Sequence, residues 1–187
     1  MDNGASSYRR FRDNGDQNAL IGIIRDYKDG LTLYLASIVG SIQTAEELAE
    51  DTFVLIGTKK PKDKGKGSFR TWLYTIGRNI AIDHLRKRSR HIEVPIDESD
   101  ASLISDEDIV ESEYLKKEQK MTVHKAMRKL SPDYQQVLWL TYFEDMSNKE
   151  AAAVMKKSVR SIESLLYRAR KSLRSQLEME GFDYEKL

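Results

Sequence analysis

Cysteine is missing from this 187-residue chain, which excludes disulfides and thiolate-held metal. Histidine occurs only at His84, His91 and His124, with no HExxH or other ligand spacing, so neither a metal centre nor a cofactor is expected. No apolar run reaches the roughly 18 residues of a membrane span, and no signal-peptide pattern opens the chain. A soluble, cytoplasmic protein is therefore expected. Phosphate-cradling glycine loops and paired carboxylates with a convergent base are also missing, so no enzyme is expected. With three prolines and almost no alternation of β-branched residues, the chain reads as all-α.

What is present is charge, and it is segregated. Residues 1–55 carry 5 basic and 9 acidic groups, residues 56–90 carry 11 and 2, residues 91–115 carry none and 9, and residues 116–187 carry 15 and 10. Two basic blocks separated by an acidic strip suggest two contacts with a polyanion and a tether that avoids it. The expected organisation is a flexible N-terminus over 1–15, a helical domain over 16–90 and an acidic linker over 91–115. A second helical domain over 116–176 and a tail over 177–187 follow.

In the first half Asp13-Asn14-Gly15 reads as a turn and Asp16 as a helix cap. Leu20, Ile23, Ile24 and Tyr27 share a face, Asp29-Gly30 reads as a break, and Leu31, Tyr34, Leu35 and Ile38 resume the pattern. Thr44-Ala45-Glu46-Glu47 reads as a capping box, opening a helix with Leu48, Thr52 and Leu55 inward, Phe53 and Ile56 near its edges and an acidic outer face. Solvation explains that face as well as docking does. A glycine-rich loop over 57–68 holds five lysines, Lys64 and Lys66 among them. Ser68 then caps a long helix, Phe69 to Arg88. It carries one apolar stripe, Phe69, Trp72, Leu73, Ile76 and Ile80, and a second broken by charge, Tyr74, Arg78, Ile82 and Leu85. An aromatic and an arginine on a second side fit exposed bases and phosphate. Trp72 reads equally as a core residue.

The second half ends in the most informative stretch. Ser147-Asn148-Lys149-Glu150 reads as a capping box before the short helix Ala151 to Met155. After a turn, Ser158 caps a helix whose Ile162, Leu165, Leu166, Ala169 and Leu173 fall within about 100° of one another. Arg160, Ser164, Tyr167, Lys171 and Arg174 take the reverse side. This is the logic of a helix-turn-helix, whose second helix enters the major groove. Arg160, Ser161, Glu163 and Ser164 are placed to read bases, and Arg168, Arg170 and Lys171 to meet phosphate. Glu163 can accept from a cytosine amino group or serve within the helix beside Tyr167 or Arg160.

Two runs carry a resemblance. Residues 69–86, FRTWLYTIGRNIAIDHLR, are very close to the FRxWLYxIxRNxxxDxxR signature of the extracytoplasmic-function group of bacterial sigma factors, and residues 44–53, TAEELAEDTF, resemble its AEDLxQxxF helix. Residues 161–173, SIESLLYRARKSL, resemble its TVKSRLxRARKxL. The resemblance implies two small helical domains, region 2 and a region 4 helix-turn-helix, joined by the acidic linker. It implies that Glu47, Glu50, Asp51 and Phe53 dock on the β′ clamp helices of core RNA polymerase, and that region 4 binds the β flap. Lys64, Lys66, Phe69, Trp72, Tyr74, Arg78, Asn79 and Arg86 would bind and melt the −10 element of promoter DNA. Ser158, Arg160, Ser161, Glu163, Ser164, Tyr167, Arg168, Arg170 and Lys171 would bind the −35 element. Members commonly have an anti-sigma partner, often membrane-bound, and direct stress responses. Met155-Lys156 stands where the group usually has Leu-Gly, which predicts a less regular turn. Two other readings stay open: a helix-turn-helix regulator with a sensory first domain, and an interaction module that does not use DNA.

Overall fold

The computed structural model describes residues 3–63, 67–91 and 122–181, and among these residues the regular structure is all helical. Lys64 and Lys66, the acidic linker from residue 92 onward and the last six residues lie outside them.

The chain opens with α1, Asn3–Asn14, where sequence reasoning expects a frayed end. The helix forms because Gly4, Tyr8 and Phe11 fall on one face and all three are buried. Tyr8 lies 5.6 Å from the Phe69 ring and 4.9 Å from the Trp72 ring, and its hydroxyl donates to the Pro61 carbonyl at 2.8 Å. Burying one such aromatic is worth about 2–3 kcal/mol, enough to order a polar segment built around two. Burial pushes the Tyr8 phenol up to about 12, against the opposing charge of Arg12.

Gly15 turns the chain in the left-handed region, and Asp16 accepts the Ala19 amide at 3.1 Å to start α2, Gln17–Val39. This helix runs unbroken through Asp29-Gly30, contrary to the expected break. Glycine in a helix interior costs about 1 kcal/mol relative to alanine, and packing exceeds that here. A Cβ at Gly30 would stand 2.4 Å from Glu144 Oε1 and 2.7 Å from the Tyr74 hydroxyl.

Helix α3, Ile42–Lys59, is capped by Ser41, whose hydroxyl accepts the Thr44 amide at 3.3 Å. The expected Thr44–Glu47 box is therefore displaced: Ser41 has the extended backbone that a cap requires, and Thr44 already lies inside the first turn. Phe53 and Ile56 are core residues rather than edge ones, and Leu55 is half-buried.

Helix α4, Phe69–His91, is packed from two sides. Helices α2 and α3 cover one side, and a helix of the second half covers the other. That second half comprises α5 (residues 122–128), α6 (Pro132–Leu138), a wide π turn (Trp139–Phe143), α7 (Asn148–Met155) and α8 (Val159–Met179). Ser131, with extended backbone, precedes α6 as its cap residue, and Pro132 opens the helix. Helix α8 continues into the expected tail, because Leu177 is buried and Arg174 pairs with Glu178 at 2.9 Å.

Helix α7 lies against α4, and α6 against α2. The buried apolar residues of both halves join in one continuous cluster. The two units are thus packed together, with α4 between them.

Candidate nucleic-acid and polymerase interfaces

The helix-turn-helix is built by three local devices. Ser147 and Glu150 form a complete capping box at the start of α7. Lys156 ends α7 in the left-handed conformation at φ 54°, donating its amide to the Ala152 carbonyl. Ser158 then accepts the Ser161 amide at 3.1 Å to start α8. The turn keeps its regular left-handed cap even with lysine in place of glycine.

Ile162, Leu165, Leu166 and Ala169 bury one side of α8. Ser158, Arg160, Ser161, Glu163, Ser164, Tyr167, Arg168, Arg170 and Lys171 are all exposed. Six of them, Arg160, Glu163, Ser164, Tyr167, Arg168 and Lys171, recur at helical spacing and make one continuous stripe. Tyr167 is 71% exposed at its centre, and Arg168 Nε donates to the Ser164 carbonyl at 3.3 Å. Arg170 stands off this stripe: its guanidinium lies 5.5 Å from the Tyr142 ring centre. There it borders an apolar groove of about 660 Å³ lined by Val123, Met127, Tyr142, Phe143, Leu173 and Leu177. Sequence reasoning missed the groove because its walls come from α5, the π turn and α8.

On α3 the residues expected to dock divide. Glu47, Glu50 and Asp51 are exposed, and Glu50 pairs with Lys28 at 3.0 Å. Phe53 is 5% exposed and belongs to the core. Its neighbour Val54, 60% exposed, is the apolar member of that acidic face. Its i+7 spacing from Glu47 was the signal available in the sequence.

On α4 the −10 candidates also divide. Arg86 is exposed, while Trp72, Arg78 and Asn79 are partly so. Phe69 and Tyr74 are fully buried. Phe69 packs among Tyr8, Tyr27 and Trp72. Tyr74 faces Tyr34 at 5.4 Å, with the second unit over it. The exposed aromatic and arginine side expected of α4 is therefore closed at Tyr74. Burial pushes the Tyr74 phenol far up, and the Glu144 carboxylate adds to the shift.

What closes that side is polar as well as apolar. Arg70 Nη1 donates to the Glu144 carbonyl at 2.7 Å, and its Nε lies 3.6 Å from the Glu144 carboxylate. The same carboxylate accepts from the Trp139 indole at 3.2 Å. Glu150 Oε1 accepts from Ser68 at 2.7 Å and from Thr71 at 3.2 Å, while Oε2 accepts from the Ser147 amide and hydroxyl. Partial burial pushes the Glu150 carboxyl up, but donation by Ser68, Ser147 and Thr71 outweighs it and holds the group below the usual carboxylate range.

A family model described as Sigma-70 region 2 matches residues 23–91, and one described as Sigma-70, region 4 matches residues 120–173. The chain is also 25% identical over 170 residues to the ECF RNA polymerase sigma factor SigW of Bacillus subtilis, covering 87% of this chain and 91% of that protein. The chain belongs to the extracytoplasmic-function group of sigma-70 factors. As a sigma factor it serves initiation by RNA polymerase and is not an enzyme. The RNA polymerase sigma-H factor of Pseudomonas aeruginosa is 28% identical over 171 residues, 88% of this chain and 89% of the relative. Among solved structures, the sigma factor RpoE of Bartonella quintana, in complex with the anti-sigma factor NepR, matches with a TM-score of 0.64 and 26% identity. That match covers 83% of this chain and 94% of the other. CnrH, solved with the cytosolic domain of CnrY, shares the fold at a TM-score of 0.60 and 23% identity, covering 94% and 95%. No described helix of this sigma factor is long and apolar enough to cross a membrane.

Proposed function

We propose that this sigma factor directs core polymerase to promoters by reading the −35 element with α8 and opening the −10 element with α4 and the preceding lysine loop. The observation that carries the reading is the exposed stripe Arg160, Glu163, Ser164, Tyr167, Arg168 and Lys171, set on a helix that follows a regularly capped turn. Its early residues suit base edges and its later cations suit phosphate. Ser158 and Ser161 flank the stripe at the helix start. Arg170, beside the groove, serves a protein partner better than DNA.

For strand opening, Trp72, Arg78, Asn79 and Arg86 remain the accessible candidates of α4, and Lys64 and Lys66 are candidates on charge alone. Unstacking costs a few kcal/mol per step, which capture of an extruded base offsets. The acidic face of Glu47, Glu50 and Asp51, with Val54 at its C-terminal end, suits the basic clamp helices of β′, and the apolar groove suits a helix of the β flap. An anti-sigma partner is supported by the RpoE–NepR complex. Work on cytoplasmic DNA under envelope or other stress fits the group.

Run-off transcription with purified core polymerase over a genomic promoter pool tests the reading. Initiation above core alone is expected, and Arg168→Ala with Lys171→Ala should weaken holoenzyme binding and flatten its log–log salt dependence by about 2, one unit per phosphate contact. No initiation above core would end the promoter reading, and an unchanged salt slope would remove α8 from the DNA.

A further inference from the structure

We infer that Tyr8 is a positioning residue for strand opening: from α1 it holds both ends of the lysine loop, and the Trp72 ring beside them, in place. The inference rests on the promoter reading above for its purpose, while the clamp itself stands on geometry.

Helix α1 lies ahead of residues 23–91, the stretch that matches the region 2 model, so that match gives it no task. Its contacts nevertheless converge on one place. The lysine loop leaves α3 at Lys60 and Pro61 and enters α4 at Ser68 and Phe69. At the leaving end, the Tyr8 hydroxyl donates to the Pro61 carbonyl at 2.8 Å, and Lys60 Nζ lies 4.9 Å from the centre of the Phe11 ring. At the entering end, the Tyr8 ring stands 5.6 Å from the Phe69 ring and 4.9 Å from the Trp72 ring. One side chain thus bridges the two ends. Gly4 lets α1 approach this closely: a Cβ there would collide with the Phe69 ring and stand 2.6 Å from the Tyr27 hydroxyl.

Opening DNA calls for such a hold. Unstacking a base step is costly, and a loop that must be ordered as it meets the strand subtracts that ordering from what its contacts return. Ends fixed beforehand avoid the loss. Trp72 benefits in the same way: it is half-buried, and Tyr8 and Phe69 against its ring fix the orientation of the part that stays accessible.

Tyr8→Phe deletes the hydroxyl and keeps the ring. Loss of one hydrogen bond shifts the ratio of held to released loop about fivefold. Trypsin cleavage between residues 62 and 67 of the free factor follows the released population. Opening of a duplex promoter by the holoenzyme, read by permanganate attack on unpaired thymines, follows the held one. The gain in cleavage and the loss in opening rate should therefore multiply to about five. Promoter occupancy before opening should not change, and the deficit should vanish on a template already mismatched across the −10 element. Gly4→Ala acts by different physics, favouring the α1 helix while pushing it off Phe69, and should move both readouts in the same directions. Circular dichroism melting confirms that both variants are folded.

Wild-type cleavage or wild-type opening in both folded variants would overturn the inference. So would an opening deficit equal on the duplex and mismatched templates, which would place the loss in folding or polymerase docking. Failure of the promoter reading looks different: the wild type then gives no initiation above core, while loop cleavage still responds to Tyr8→Phe.

Discussion

Helices α4 and α8 are both long, both rich in arginine and both taken from the sequence as nucleic-acid elements, yet they sit in opposite environments. Helix α8 buries one side and offers the rest to solvent. Helix α4 is enclosed between α2 and α3 on one side and α7 on the other, so its Phe69 and Tyr74 are core residues. A single-sided helix displays its purpose in its periodicity, whereas a double-sided one mixes the signals of two neighbours.

The sharpest way to break this contrast is to truncate one tyrosine on each helix. Tyr74→Ala removes a fully buried ring and should cost about 3–5 kcal/mol, read as a lower midpoint in thermal or urea unfolding. Tyr167→Ala, on the exposed stripe, should change stability by under about 0.5 kcal/mol and weaken −35 binding instead. Equal losses of stability would refute the assignment of the two helices.

A smaller effect lies at their junction and depends on pH. The Glu150 carboxyl has a depressed pKa in the folded protein, so its contribution is present above the ordinary carboxylate value and fades as pH falls through the lower, folded one. At neutral pH Glu150→Gln should cost on the order of 1 kcal/mol, allowing for solvent screening. The gap between wild type and variant should narrow as melting is repeated from pH 6 toward pH 3. A gap that widened with acid would reverse the sign assigned to this group.

Finest of all is the turn before α8. Lys156 holds a left-handed backbone at φ 54°, where a side chain is strained and glycine is not. Lys156→Gly should therefore raise stability by about 0.5–1 kcal/mol, with the −35 contacts unchanged. A loss of stability would mean that the lysine side chain contributes more than its backbone costs.

The sequence announced what local chemistry decides. Asp16, Ser147 with Glu150, and Ser158 cap their helices as read, and the buried side of α8 is the expected one. What stayed hidden depended on distant partners. Asp29-Gly30 reads as a break unless Glu144, more than a hundred residues away, is known to fill the gap. Polar α1 reads as a frayed end unless Tyr8 is seen against Phe69 and Trp72. Phe53 and Val54 are about 100° apart on α3, and the i, i+3, i+4, i+7 spacing of Glu47, Glu50, Asp51 and Val54 was the legible sign that Val54 is the outward one. Glu150 was legible as a cap, but its second duty toward Ser68 and Thr71 was not.

The wide turn at Trp139–Phe143 has a consequence of its own. Its closing bond runs from the Glu144 amide to the Trp139 carbonyl, five residues back, so the chain is offset by one position from an ordinary helix. That offset lets Phe143 line the groove while the next residue, Glu144, faces Arg70 and Gly30. Winding the same residues as an ordinary helix would swing both side chains by about 100° and spoil two surfaces at once, whereas a one-residue deletion inside the turn would restore ordinary winding with both side chains still in place.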